Sequence, residues 1–243
     1  MKFGKKPYIR NRYALALSNY GSASKIAFPP VCAYERPIDY QMLGNDSLGL
    51  CFEAGIWHQR MTWKAVANAG SPLLATTDLV VADYSAITGY DPSNPATDQG
   101  TDPNEGFAFY KANKVLAGYA ALDLNNIDQL KGAIYTFGGM GLGIVVPQSM
   151  VDQINQGIDP TWEFLPNDKP TNQGHYIYVS GYGRNGVAIV SWGKVYHARW
   201  DFVSRWADQA EALIGLEWLK QSGRAPSGLD LAGLLADSVQ GMA

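Results

Sequence analysis

Gly44-Asn45-Asp46-Ser47-Leu48-Gly49-Leu50-Cys51-Phe52-Glu53-Ala54 is the stretch from which the rest of the chain is best read. Small and polar residues lead up to a thiol, and a helical pattern begins at it. Phe52, Gly55, Ile56, Gln59, Trp63, Val66 and Ala67 recur at helical spacing, which predicts a mostly buried helix over 51–68. A helix N-terminus carries roughly half a positive charge. A cysteine placed there is expected to have a lowered pKa, and the thiolate is the reactive form. Far downstream, His175 stands in Gly-His-Tyr-Ile-Tyr-Val and is followed by Ser191-Trp192-Gly193. A cysteine at a helix start with a distant histidine on a strand is the pattern of a thiol nucleophile and its base. The plain alternative is a buried structural thiol, since free cysteine is among the most buried residue types.

The rest of the chain sets bounds on that reading. Its 243 residues suffice for one large domain or two small ones, with 47% hydrophobic and only 17% charged residues. A net charge of −3 gives no electrostatic reason to expect nucleic acid. No run approaches the ~18 apolar residues of a membrane span. The basic start, Met1-Lys2-Phe3-Gly4-Lys5-Lys6-Pro7, is followed by no apolar region, so no signal peptide is expected. The cytoplasm of the producing cell is then the expected location. Cys32 and Cys51 are expected to stay unpaired, because one isolated disulfide in a long chain without an export signal is unfavoured.

Residues 1–43 read as an irregular arm that wraps over the domain. Helices are expected at 77–88, capped by Thr76 or Thr77, at 104–112, and at 125–137, capped by Asn125 or Asn126 and ended by Gly138-Gly139. Residues 89–104 carry three prolines and three aspartates and must be a loop. The first strand falls at Val115–Leu122, and Gly141–Val146 is an apolar run. Residues 155–172 are a Pro/Asn/Asp-rich excursion. His175–Tyr182 and Val187–Trp192 flank Gly183-Arg184-Asn185-Gly186, a hairpin signal, and further strands fit Lys194–Trp200 and Glu211–Trp218. A short amphipathic helix is expected over Ser227–Val239. Helices first and strands later read as α+β.

Asn45-x5-Cys51, with Gly49 two residues before the cysteine, resembles the Gln-x5-Cys of papain-like cysteine peptidases. From about Gly44 to Trp218 the chain is similar to papain-like proteins of bacteria and phages, through Gly-Asn-Asp-x-x-Gly-x-Cys, the Thr97-Asp98-Gln99-Gly100 loop, Gly-His and Ser-Trp-Gly. The resemblance implies a papain-like domain at 44–222, with a helical part at 44–137 and an antiparallel β part at 138–222. The Cys-bearing central helix would pack against that β-sheet or barrel, leaving a tail at 223–243. It implies Cys51 as nucleophile and His175 as base, 124 residues downstream, slightly less than the ~130–150 usual for such enzymes. It also implies that the Asn45 amide and the Cys51 N–H form the oxyanion hole, where one donor is worth roughly 3–4 kcal/mol.

One departure stands out. The family has Asn-Ser-Trp-Gly, whose asparagine orients the histidine and whose tryptophan shields that contact. This chain has Val190-Ser191-Trp192-Gly193. Trp192 keeps the shielding place, but the valine side chain accepts no hydrogen bond, so Ser191, Asp201 or a backbone carbonyl is the expected orienter. His58 and His197 are read as packing or surface groups. No cofactor is expected. Neither zinc nor calcium finds paired ligand spacing among the scattered histidines or in Asp91, Asp98 and Asp102.

Two functions follow. The first is a thiol hydrolase acting on a peptide or related amide substrate. The second is a phage virion or tail-associated structural protein on the same scaffold, contacting neighbouring subunits or further copies of itself.

Overall fold

The computed structural model describes residues 1–9, 15–16, 27–67, 73–158 and 161–216. Helix α1 spans Cys51–Ala67, and from Cys51 to Gln59 every residue is buried. A helix buried all round is a core element rather than an amphipathic surface one. Trp63 fastens its far end: the indole N–H donates to the carbonyls of Phe137 (2.9 Å) and Gly138 (3.2 Å).

Helix α2, Thr77–Thr88, starts where the Thr76 hydroxyl accepts from the Leu79 N–H, and it ends at Gly89 in the left-handed conformation. Helix α3, Pro103–Ala112, is capped by Asp102. Helix α4, Ile127–Phe137, is capped by Asn126 and stopped by Gly138, with Leu130, Ala133, Ile134 and Phe137 on its buried face. The segment 89–102 between α2 and α3 is loop apart from one 3-10 turn at Pro95–Thr97. The glycine-rich run after α4 is a helix stop feeding a strand, as the sequence predicts.

Two short strands, β1 (Leu15–Ala16) and β2 (Cys32–Ala33), come from the arm, and β3 is Leu116–Ala121. The remaining strands are β4 (Met140–Pro147), β5 (Pro170–Tyr182), β6 (Gly186–Ser191), β7 (Lys194–Arg199) and β8 (Ala207–Gly215). They form one sheet in the order β1-β3-β8-β4-β5-β6-β7, with β2 pairing beside β5. All the pairings of β3 to β8 with one another are antiparallel, whereas β1 joins β3 in parallel. The Gly183–Gly186 turn closes the β5–β6 hairpin with a Gly183 N–H to Gly186 carbonyl bond of 2.9 Å.

The sequence reading misses two helices. Helix α5, Gln148–Asn155, lies between β4 and the polar excursion. Helix α6, Trp200–Trp206, takes Trp200 out of the expected strand. In α6, Phe202, Val203 and Trp206 are buried while Asp201 and Arg205 are not, a helical spacing too short to stand out among neighbouring strands. The last strand accordingly begins earlier than expected, at Ala207. The expected tail helix and the 222/223 boundary fall outside the described residues. Among the described residues no helix is long and apolar enough to cross a membrane.

Two apolar clusters flank α1. One joins Phe52, Ile56 and Trp63 to α3, α4 and the sheet. The other joins Leu50, Ala54, Trp57 and Met61 to Tyr40, Leu43, Tyr84, Tyr178 and Val190. Phe52 lies at the centre of the first, with its ring 4.7 Å from that of Tyr176 and 5.0 Å from that of Phe107. Phe52→Ala is expected to cost about 3–5 kcal/mol of unfolding free energy in chemical denaturation. Leu79→Ala, at a position 47% exposed, should stay within about 0.5 kcal/mol.

Candidate active site

Cys51 is the first residue of α1 and is fully buried. The backbone N–H of Tyr176 points at its sulfur from 3.4 Å, and the backbone N–H of Gly4 points at the same atom. His175, one residue before Tyr176 on β5, is also fully buried. Its Nε2 lies 2.8 Å from the Ser191 hydroxyl, while its Nδ1 has no hydrogen-bond partner. Trp192 stacks on the imidazole, with centroids 4.5 Å apart and planes 13° from parallel. The edge of Phe3 meets the ring from another direction, at 5.4 Å.

The strand period explains why Ser191 rather than Val190 meets the imidazole. Successive side chains of β6 point to opposite faces. Val190 enters the cluster around Tyr40 and Tyr178, so Ser191 faces His175. Asp201 is not the histidine's partner. It sits at the surface, where its carboxylate accepts from Arg199 Nε at 3.1 Å and from the Phe202 N–H at 2.7 Å.

Asn45 is buried in the loop ahead of α1, and its side-chain Oδ1 has no partner. His58 is buried further along α1, with Nε2 3.1 Å from the Gln41 carbonyl, and His197 is exposed on β7. Both cysteines are free.

The sequence reading places residues 1–43 over the domain but does not say where. Residues 1–6 run through the cleft between α1 and β5. The Lys2 N–H donates to the Asn45 carbonyl (3.1 Å), and the Lys5 N–H to the Gly174 carbonyl (3.0 Å). The Lys6 N–H donates to the Thr101 carbonyl (2.9 Å), and the Thr101 N–H to the Gly4 carbonyl (2.8 Å). Lys5 thus bridges two walls, parallel to Thr101 and antiparallel to Gly174. The segment approaches so closely that a Cβ on Gly4 would lie 1.8 Å from the Gly49 carbonyl oxygen. Asp98 fixes one end. It pairs with the Lys2 ammonium and accepts from the Gly49 N–H (3.0 Å) and the Tyr84 hydroxyl (2.7 Å). Burial raises the Asp98 pKa, but these partners together outweigh it and hold the carboxyl below its usual range.

This cover overturns the expected electrostatics of the thiol. Burial pushes Cys51 up to about 11, although the Tyr176 and Gly4 N–H groups pull the other way. Burial likewise lowers His175 to about 3. In this state the two groups are a neutral thiol and a neutral imidazole. The lowering expected from the helix terminus is not seen, because desolvation is the larger effect.

No protein-family model matches the sequence, and no curated protein matches it at a significant level. Solved structures do. Xylellain, a cysteine protease from Xylella fastidiosa, is 15% identical with a TM-score of 0.55, over 88% of this chain and 96% of that one. A digestive procathepsin L 3 of Tenebrio molitor larval midgut is 13% identical with a TM-score of 0.56, over 87% and 75%. A procathepsin B from Trypanosoma congolense is 7% identical with a TM-score of 0.52, over 86% and 82%. The fold is therefore that of the papain-like cysteine peptidases, a mixed α+β architecture with an antiparallel sheet.

The buried titratable groups make stability depend on pH. Burial raises Glu53 and Glu211 from 4.5 to about 8 each. Between those values the folded state holds protons that the unfolded chain has released, so stability falls as pH rises. Burial lowers His58 to about 4 and His175 to about 3, so they act in the opposite sense, but only below about pH 6.5. Between about pH 6.5 and 8 the two buried carboxyls therefore dominate. The melting temperature is expected to fall from pH 6.5 to 8, and Glu53→Gln and Glu211→Gln should each flatten the fall. A melting temperature that rises over this range would contradict the assignment.

Proposed function

We propose that the chain is a thiol hydrolase acting on peptide or related amide bonds, with its cleft occupied in this structure by its own first residues. The observation that carries the reading is the constellation at Cys51: a thiol at a helix N-terminus, a histidine on the facing strand, and a hydroxyl and an indole holding that histidine. With Nε2–H donating to Ser191, the Nδ1 atom is the base. It takes the thiol proton, and the sulfur attacks the substrate carbonyl to form a tetrahedral intermediate. The Cys51 N–H and the Asn45 amide are the oxyanion donors. The same imidazole then gives its proton to the leaving amine. An acyl-enzyme remains, and water activated by His175 hydrolyses it.

Catalysis in this scheme requires the first residues to leave. Re-exposed to water and to the helix terminus, the thiol loses the desolvation that raises it.

A specific observation also favours the second reading, a scaffold without turnover. Phe3, Gly4 and Lys5 fill the cleft, and the thiol and imidazole beneath them are neutral. In that reading the segment is permanent packing, and the virion and subunit contacts are its function.

Gly4→Val separates the two. The clash with the Gly49 carbonyl displaces the short segment from the loop that α1 anchors. Hydrolysis of a fluorogenic peptide pool by this variant is expected to depend wholly on Cys51, and adding Cys51→Ala or His175→Ala should cost at least ~10³ in rate. Adding Ser191→Ala should cost roughly 10-fold, the worth of one hydrogen bond of about 1.4 kcal/mol. No hydrolysis by a folded Gly4→Val chain would leave the scaffold reading.

A further inference from the structure

Lys5 carries its charged side chain into the sheet. Its side chain is 1% exposed, and its ammonium lies 2.9 Å from Asp208 Oδ2 and 3.3 Å from the Lys6 carbonyl. The pocket around it is built by β4, β5 and β8. Gly141 and Gly143 of β4 stand opposite Glu211 and Gln209 of β8, and Gly143 also pairs with Tyr176 of β5. The two glycines leave the space. A Cβ on Gly143 would lie 2.8 Å from Lys5 Cε and 2.9 Å from Gln209 Oε1, and one on Gly141 would lie 1.7 Å from the Tyr176 hydroxyl. Gln209 and Glu211 are two apart on one strand and so share this face.

The pocket holds more polar capacity than one lysine uses. Glu211 is 2% exposed and Gln209 1%. Gln209 lies beside Glu211, but no hydrogen bond of full geometry reaches either carboxylate oxygen of Glu211, or the Tyr176 hydroxyl, or Asp208 Oδ1. Buried polar groups normally have partners, so open valences gathered around one buried ammonium call for an explanation. An ammonium has three donors, whereas a guanidinium has five in a planar fork. The backbone around the pocket is equally receptive. Thr101 and Gly174 offer an extended chain the strand bonds that Gly4, Lys5 and Lys6 now take.

We propose that this pocket, formed by Gly143, Tyr176, Asp208, Gln209 and Glu211, recognises a lysine or arginine side chain of an extended peptide substrate, and that Lys5 is its built-in occupant. The proposal rests on the hydrolase reading for the word substrate. The pocket's preference itself can be read without turnover.

The first measurement is alkylation of Cys51 in the full chain by iodoacetamide at pH 9, where rate reports exposure, with Cys32 of the same molecule as reference. Lys5→Arg should protect Cys51 within 3-fold of the native chain. Lys5→Leu and Lys5→Glu should react at least 10-fold faster, as should Asp208→Asn. Equal protection by Lys5→Leu would overturn the proposal.

The second measurement covers variants that fold poorly. In the Gly4→Val chain, the peptide Met-Lys-Phe-Gly-Lys-Lys-Pro-Tyr is added in trans. Protection of Cys51 should return with this peptide and with its arginine analogue at position 5, and should need at least 10-fold more of the leucine analogue. Equal potency of the three, or no protection by any, would also overturn the proposal.

A position-by-position library of fluorogenic peptides then separates the two readings. Cleavage without a basic preference at any position sinks the pocket and leaves the hydrolase. The expected alkylation pattern without cleavage sinks the hydrolase and leaves a pocket that binds basic peptides.

Discussion

The contact between the first turn of α1 and β5 is the constraint on which the molecule depends. The Tyr176 N–H meets the Cys51 sulfur at 3.4 Å, and Phe52, one residue on, packs at a tilt against the Tyr176 ring. A buried helix cannot shift against a strand without breaking such packing, because protein interiors are close-packed and do not deform continuously. His175 is therefore fixed relative to Cys51 by adjacency to Tyr176. Ser191 and Trp192 are fixed in turn by the β5–β6 pairing, in which Tyr178 lies opposite Val190. The site is a consequence of register: a slip of one residue in β6 would send Ser191 to the α1 core and Val190 to the imidazole.

The first residues change the chemistry without changing that geometry. They remove water from the thiol and imidazole and replace it with Phe3, Gly4 and Lys5. Desolvation then outweighs the helix terminus, and the pair stays neutral. The segment is held by backbone bonds to Asn45, Thr101 and Gly174 and by two ion pairs, Lys2 with Asp98 and Lys5 with Asp208. Beside the packing of the Phe3 ring, much of its hold is polar. That is the bonding an extended peptide could exchange for its own.

Much of this was legible in the sequence where local chemistry decides. Thr76, Asn126, Gly89 and Gly138 cap helices for reasons visible in a few residues. Asn185-Gly186 announces the hairpin, and Cys51 and His175 lie on the elements their patterns predict. What was illegible is tertiary. Helices α5 and α6 are only 8 and 7 residues long, too short for a period to separate them from loop or strand. Val190 sits in the family's asparagine register, and only the pleat shows that Ser191 is the residue facing His175. Nothing local in Met1–Lys6 tells where it docks, since the close approaches at Gly4 and Gly49 involve loops far apart in sequence. The raised thiol pKa follows from that docking, and so it too was hidden. Glu211 and Gln209 read as ordinary strand residues until Gly141 and Gly143 are seen opposite them.

The central claim is that a competent nucleophile lies beneath a removable cover, and thiol reactivity near pH 6 tests it most directly. The rate of iodoacetamide reaction at Cys51 should be measured by mass spectrometry in the native and Gly4→Val chains, with Cys32 as the internal reference. In the native chain Cys51 should react more slowly than Cys32. With the segment displaced it should react at least 10-fold faster than Cys32, and His175→Ala should remove that advantage. A Cys51 that stays as unreactive as an ordinary thiol at pH 6 after displacement would contradict the account.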